Sequence, residues 1–168
     1  MRDLRKLIYT ALLVSMALAV SLIENMIPVP FIAPGAKLGL SNIVILVSLL
    51  VFGFKTAATV ALLKSFLLML VAGFGPSFLY SFAGAILSTL VMGFAYRFCS
   101  NIFSTIGISI LGAVAHNLAQ VFVASLILGN FMIFTYFPLL TIVGTITGYF
   151  VGLSAYHVST QLKKLIKA

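Results

Sequence analysis

Charge is what this sequence has least of. Only 7% of its 168 residues are charged, against about 25% in an average soluble domain. A folded chain of this size cannot cover its surface with so few charges and stay in solution. Acids are scarcer still: Asp3 and Glu24 stand against ten Lys and Arg. Cys99 is the single cysteine, so no intrachain disulfide can form. Tryptophan is absent, which leaves Tyr, Lys and Arg as interfacial anchors. No Gly-x-x-x-x-Gly-Lys-Ser/Thr loop is present, so any ATP hydrolysis must come from partners. These absences argue against a soluble enzyme, a disordered chain and a nucleic-acid-binding domain. What is present is apolar: 62% of the residues are hydrophobic. The remaining class is an all-α integral membrane protein.

A helix needs about 20 apolar residues to cross a bilayer. Six segments are expected to do so, at approximately 7–26, 38–54, 56–73, 78–98, 106–128 and 137–160. The second is the shortest. They make one membrane domain over 1–168, with a Pro/Gly-rich outer loop at 27–39. Arg2, Arg5 and Lys6 before an apolar run imitate a signal peptide. The run is too long and no small-residue cleavage site closes it, so a retained first helix is expected. Six spans put both ends on one side. Arg2, Arg5, Lys6, Lys55, Arg97, Lys163, Lys164 and Lys167 then share a face, and Lys37 stands alone on the other. The positive-inside rule places both termini in the cytoplasm of a multi-pass plasma-membrane protein. It also accounts for the net charge of +8 without nucleic acid.

Polar residues inside the spans carry the functional signal. Lys64 falls near the middle of the third, where a charge costs about 2.5–3.5 kcal/mol on insertion scales. It either snorkels or pairs structurally, or it binds an anionic ligand. His116, Asn117 and Gln120 lie three and four apart in the fifth span and form an inward stripe. That stripe serves interhelical hydrogen bonding or ligand contact. His116 alone makes no metal site, and His157 belongs to another layer. In the first span Ala11, Ser15 and Ala19 form a small-xxx-small ladder that admits a partner helix. Glu24, at 100° per residue, lies on the opposite side from Ser15. The stretch 27–42 holds three prolines, Gly35, Gly39, Lys37 and Asn42. A rigid outer segment with one cation reads as a plain loop or as a lid over a site.

Within that stretch, Pro34-Gly-Ala-Lys-Leu-Gly-Leu-Ser-Asn-Ile43, followed by Leu50-Val-Phe-Gly53, resembles small membrane proteins labelled heptaprenyl diphosphate synthase component I or Gx transporter family. The resemblance covers essentially the whole chain. That family looks like the substrate-binding S components of energy-coupling-factor (ECF) transporters. The resemblance implies a six-helix bundle that captures a metabolite or vitamin from outside. It also implies partners: a transmembrane T component and two ABC ATPases, which use the ATP. Ala11, Ser15 and Ala19 match the helix-one docking motif, with Ser15 in place of the more usual Ala.

The synthase label is testable from composition. Trans-prenyl synthases hold diphosphate through Mg²⁺ on aspartate-rich motifs, and hard cations need carboxylate oxygens. Asp3 and Glu24, at opposite ends of one helix, cannot build that site. Catalysis by this chain is therefore not expected, and neither a cofactor nor a metal is expected on it. The leading expectation is an S component whose substrate meets Lys37, Asn42, Lys64, His116, Asn117, Gln120 and Glu24. Fifteen Phe and six Tyr favour a modestly anionic ligand with an apolar body, such as a flavin, a prenyl phosphate or a quinone precursor. The alternative is a non-catalytic membrane subunit of a prenyl diphosphate synthase. An independent channel would need a polar stripe running to the cytoplasm, and a membrane enzyme would need a nucleophile–base–orienter set. Neither is visible.

Overall fold

The computed structural model describes residues 2–27 and 37–167. Among these the chain forms α1 (Arg2–Met26), α2 (Asn42–Phe52), α3 (Phe54–Ala72), α4 (Pro76–Phe98), α5 (Thr105–Leu128) and α6 (Phe137–Lys167). A 3-10 segment, Phe131–Tyr136, leads into α6. Of the expected outer loop 27–39, residues 28–36 lie outside the described residues.

Five helices, α1 and α3 to α6, are long and apolar enough to cross a bilayer. Their outward faces are apolar: Leu7, Leu12, Leu70, Phe94, Phe122 and Phe150 are all exposed. In water such a belt would drive aggregation, whereas lipid solvates it. The chain is a multi-pass membrane protein.

The second expected span, 38–54, takes a different form. Its helix has 11 residues, roughly 16 Å at 1.5 Å per residue, against about 30 Å of hydrocarbon. Residues 37–39 are irregular and 40–41 form a turn, with Asn42 N–H donating to Gly39 O at 3.0 Å. Eight of the 11 helical residues are buried, and α2 touches every other helix. A helix that is apolar on all sides belongs in the interior. Here the shortest helix is the axis of the bundle. Ile45, Leu46 and Leu49 of α2 meet Leu13 and Ala17 of α1 and Val60 and Ala61 of α3 in one core.

The chain alternates in direction. Tyr9 stacks near Phe52 with ring centroids 5.6 Å apart, so α2 runs back along α1. Gly53, at φ +86°, is the only residue between α2 and α3 and supplies a backbone turn that other residues strongly resist. Phe66 meets Phe82 across α3 and α4. Along α5 and α6, Gly144, Gly148 and Gly152 make a small-residue seam. A Cβ at Gly148 would lie 2.9 Å from Ile110 Cα, and one at Gly152 would lie 2.7 Å from Ile106 Cα. The starts of α1, α3 and α5 therefore share one end of the bundle. The irregular segment 37–41 lies toward the other.

Two helices outrun their expected bounds. α1 begins at Arg2 rather than 7, and α6 continues to Lys167 rather than 160. Hydropathy limits only the part in hydrocarbon. Gln, Leu, Lys and Arg are good helix formers beyond it.

Candidate functional site

The site draws on the buried side of α1's amphipathic division. Leu13, Val14, Ala17, Ser21 and Glu24 are buried, while Ala11, Ser15 and Ala19 are exposed. Glu24 and Ser15 thus point opposite ways, as the helical angle requires. Ser15 Oγ donates to Ala11 O at 3.0 Å, which hides its hydroxyl against its own backbone.

Lys64 does not snorkel. It is 1% exposed, and its Nζ donates to Ser21 Oγ at 3.1 Å and to Ser41 Oγ at 2.7 Å. Two serines from different segments thus meet one ammonium in the protein interior.

Glu24 meets the irregular segment. Its Oε1 accepts from the backbone N–H of Gly39 and from that of Leu40, the latter at 3.1 Å. Buried backbone outside a helix needs its polar groups satisfied by the protein, and Glu24 does so here. Gly39 has φ +79°, and a Cβ there would come within 3.0 Å of Asn42 Nδ2 and 3.3 Å of His116 Cδ2.

Gln120 holds the other end of the segment. Its Oε1 accepts from Lys37 N–H at 3.1 Å, and its Nε2 donates to Lys37 O at 3.2 Å. The side-chain amide pairs with the peptide as a neighbouring strand would. Gln120 Nε2 also lies 2.6 Å from His116 Nε2. An amide nitrogen can only donate, so His116 Nε2 accepts and the imidazole carries its proton on Nδ1. That ring packs on Gly84, where a Cβ would be 2.5 Å from Cε1. The Gly84 backbone lies beside Nδ1 without meeting hydrogen-bond geometry.

Asn42 Oδ1 accepts from Ser88 Oγ at 3.4 Å. Asn117 takes a different path: its Nδ2 donates to Leu140 O at 2.7 Å, at the α5–α6 seam beside Gly144. His157 is exposed, with Nδ1 3.0 Å from Leu153 O on its own helix.

The structure therefore gathers Glu24, Lys37, Asn42, Lys64, His116 and Gln120, and turns Asn117 toward α6. Within the cluster, Glu24 Oε2, Lys37 Nζ, Asn42 Nδ2 and His116 Nδ1 are buried without a hydrogen-bond partner among the described residues. The Lys37 ammonium, held out of water, is pushed down from its ordinary 10.5 to about 8, with the Glu24 charge opposing the fall. Orphaned buried groups of this kind are rare in folded proteins, and four of them fall in this one cluster.

A family model described as heptaprenyl diphosphate synthase component I matches residues 13–158. The chain belongs to that family. The matched range takes in every clustered residue. No curated protein matches the chain, and no solved structure matches it.

For this family member, sequence reasoning passed over Ser41, Ser88 and Gly84 and gave Ser21 no role. A usable signal existed on α4. Ser81, Gly84, Ala85 and Ser88 repeat small residues at helical spacing, which marks a face where something large must approach. For Ser21 and Ser41 no local signal exists. Ser48 and Ser65 look alike in sequence, yet they donate to the backbone four residues earlier.

Proposed function

We propose that this chain is the substrate-binding S component of an ECF-type importer. It captures a small anionic, partly apolar metabolite or vitamin-like molecule from outside the cell. The observation that carries this reading is the buried cationic cluster with unpartnered donors at one end of the bundle. Lys37 and Lys64 contribute positive charge, Glu24 offsets part of it, and Asn42, His116 and Gln120 supply hydrogen-bonding groups. The face of α1 that bears Ala11, Ser15 and Ala19 is turned away from this cluster and stays open to a partner helix. Both termini and most basic residues then lie on the cytoplasmic side of the plasma membrane, beside a T component and two ABC ATPases that hydrolyse the ATP. The chain itself is not an enzyme and binds no cofactor.

The family description favours a second reading, a non-catalytic membrane subunit alongside a prenyl diphosphate synthase. Gentle purification from native membranes separates the two. Import predicts co-elution of a membrane T component and ATPases, lost in Ser15→Trp and Ala19→Trp. A soluble prenyl synthase in their place, unaffected by those substitutions, supports the second reading and ends the first.

A further inference from the structure

The unpartnered atoms of the cluster have a definite sense. Lys37 Nζ and Asn42 Nδ2 are donors. His116 Nδ1 is also a donor, because its Nε2 accepts from Gln120. Glu24 Oε2 is the single unpartnered acceptor among these side chains. A molecule that completes the cluster must accept several hydrogen bonds and donate one.

The charges set a second condition. Lys37 and Lys64 lie near enough to Glu24 to feel its charge through space. Two ammonium groups and one carboxylate leave one positive charge, with His116 neutral in the tautomer described. A desolvated site is most stable when its ligand cancels that charge. A phosphate monoester carries about −1.5 to −2, and a diphosphate carries more. Either leaves excess negative charge in the interior. A zwitterion leaves the positive charge uncancelled.

The unpartnered donors are buried within one cluster. Asn42 Nδ2 lies beside Gly39, and the Nδ1 edge of the His116 ring lies beside Gly84. Both glycines lack the Cβ that would crowd the ring. A carboxylate offers about four lone-pair positions on two oxygens, enough for donors from Lys37, Asn42 and His116.

We propose that this cluster binds a monoanionic carboxylic acid that also carries a neutral N–H or O–H donor for Glu24. The assignment rests on the reading of the chain as a substrate-binding component, and it excludes prenyl diphosphates as the ligand.

The test uses the full chain purified in lipid nanodiscs. Retained small molecules are identified by native mass spectrometry. Thermal protection is then measured with acetate, pyroglutamate, inorganic phosphate and pyrophosphate as probes. Pyroglutamate joins a carboxylate to a ring N–H, and acetate has the carboxylate alone. The expected results are a retained monocarboxylic acid, or protection by pyroglutamate above acetate and by neither phosphate probe. Lys37→Met should weaken carboxylate binding about tenfold or more, the effect of removing a charged hydrogen bond. Glu24→Gln still offers an oxygen to Gly39 and Leu40, so it keeps the fold. It should raise phosphate relative to acetate by about tenfold, the same single-interaction scale.

A retained phosphate or diphosphate ester overturns the proposal. So does protection by pyrophosphate equal to that by carboxylates, or protection by no carboxylate at all. Co-elution of a T component with a retained diphosphate would keep the import reading and end this one. A retained monocarboxylic acid with no T component or ATPase would do the reverse.

Discussion

The middle of α3 and the segment before α2 each bury a lysine, and the two are treated in opposite ways. Lys64 sits where a charge is hardest to accommodate, and two serine hydroxyls accept from it. Lys37 belongs to irregular backbone, and its peptide groups are clamped by Gln120 while its ammonium has no hydrogen-bond partner among the described residues. The sequence invites the reverse assignment, with the mid-span lysine as the ligand's principal contact and the loop lysine at the mouth. The difference teaches that depth in the membrane and availability for binding are separate properties. Lys64 organises the site by drawing α1, α3 and the turn at Ser41 together. On the proposed function, Lys37 is the group left for the ligand.

The largest test of that contrast is a pair of deletions. Lys64→Ala removes the side chain that joins three segments and leaves two buried hydroxyls facing a cavity. It should destabilise the protein by about 2–5 kcal/mol, seen as a lower Tm in detergent. Lys37→Met removes a buried ammonium whose desolvation outweighs its attraction to Glu24 and keeps the volume, so the empty protein should hold or gain stability. Equal losses from the two would break the comparison. Next in size is Gly39→Ala, which forces a side chain into φ +79° and against Asn42 and His116. A loss of about 1–3 kcal/mol is expected, and binding that depends on Lys37 should weaken with it. Gln120→Leu should cost about 1–3 kcal/mol through the Lys37 peptide groups it leaves unsatisfied. Hydrogen exchange should rise at residues 37–41 and stay unchanged at the middle of α3.

The smallest effect is the pH response of Lys37. Its ammonium titrates near 8 in the folded protein and at about 10.4 when the chain is unfolded. Between those values the unfolded state binds more protons, so the stability of the empty protein rises with pH. The limiting slope is about 1.4 kcal/mol per unit. Anion affinity should move the other way and fall as pH passes 8, because the bound form needs the charge. Thermal scans and binding titrations from neutral to pH 9 would show the two trends diverging. Parallel trends would mean that Lys37 does not face the ligand.

Five long helices were legible in the sequence because hydropathy and length suffice for them. The form of the second span was not. What stops α2 at Asn42 is a run of backbone held by Glu24, 15 and 16 residues earlier, and by Gln120, 83 residues later. No local pattern encodes such contacts. Within the site, Glu24, Lys37, Asn42, Lys64, His116 and Gln120 stood out as polar groups in apolar surroundings, and the structure brings them together. Asn117 stood out equally, yet one residue's rotation from His116 sends it to α6. The serines stayed hidden because a helical serine that satisfies itself and one that reaches a lysine are spelled alike. The α6 glycine seam was not read from the sequence either, although its spacing of four was open to view.

The central position of α2 has a consequence for how the protein is made. An 11-residue segment cannot be retained by lipid as a spanning helix leaves the insertion machinery. Its neighbours include α6, which is synthesised about 90 residues later. The axis of the molecule must therefore wait, sheltered by α1 and α3, until the final helix arrives to enclose it. Chains arrested before residue 137 should hold this segment open to membrane proteases and quality control.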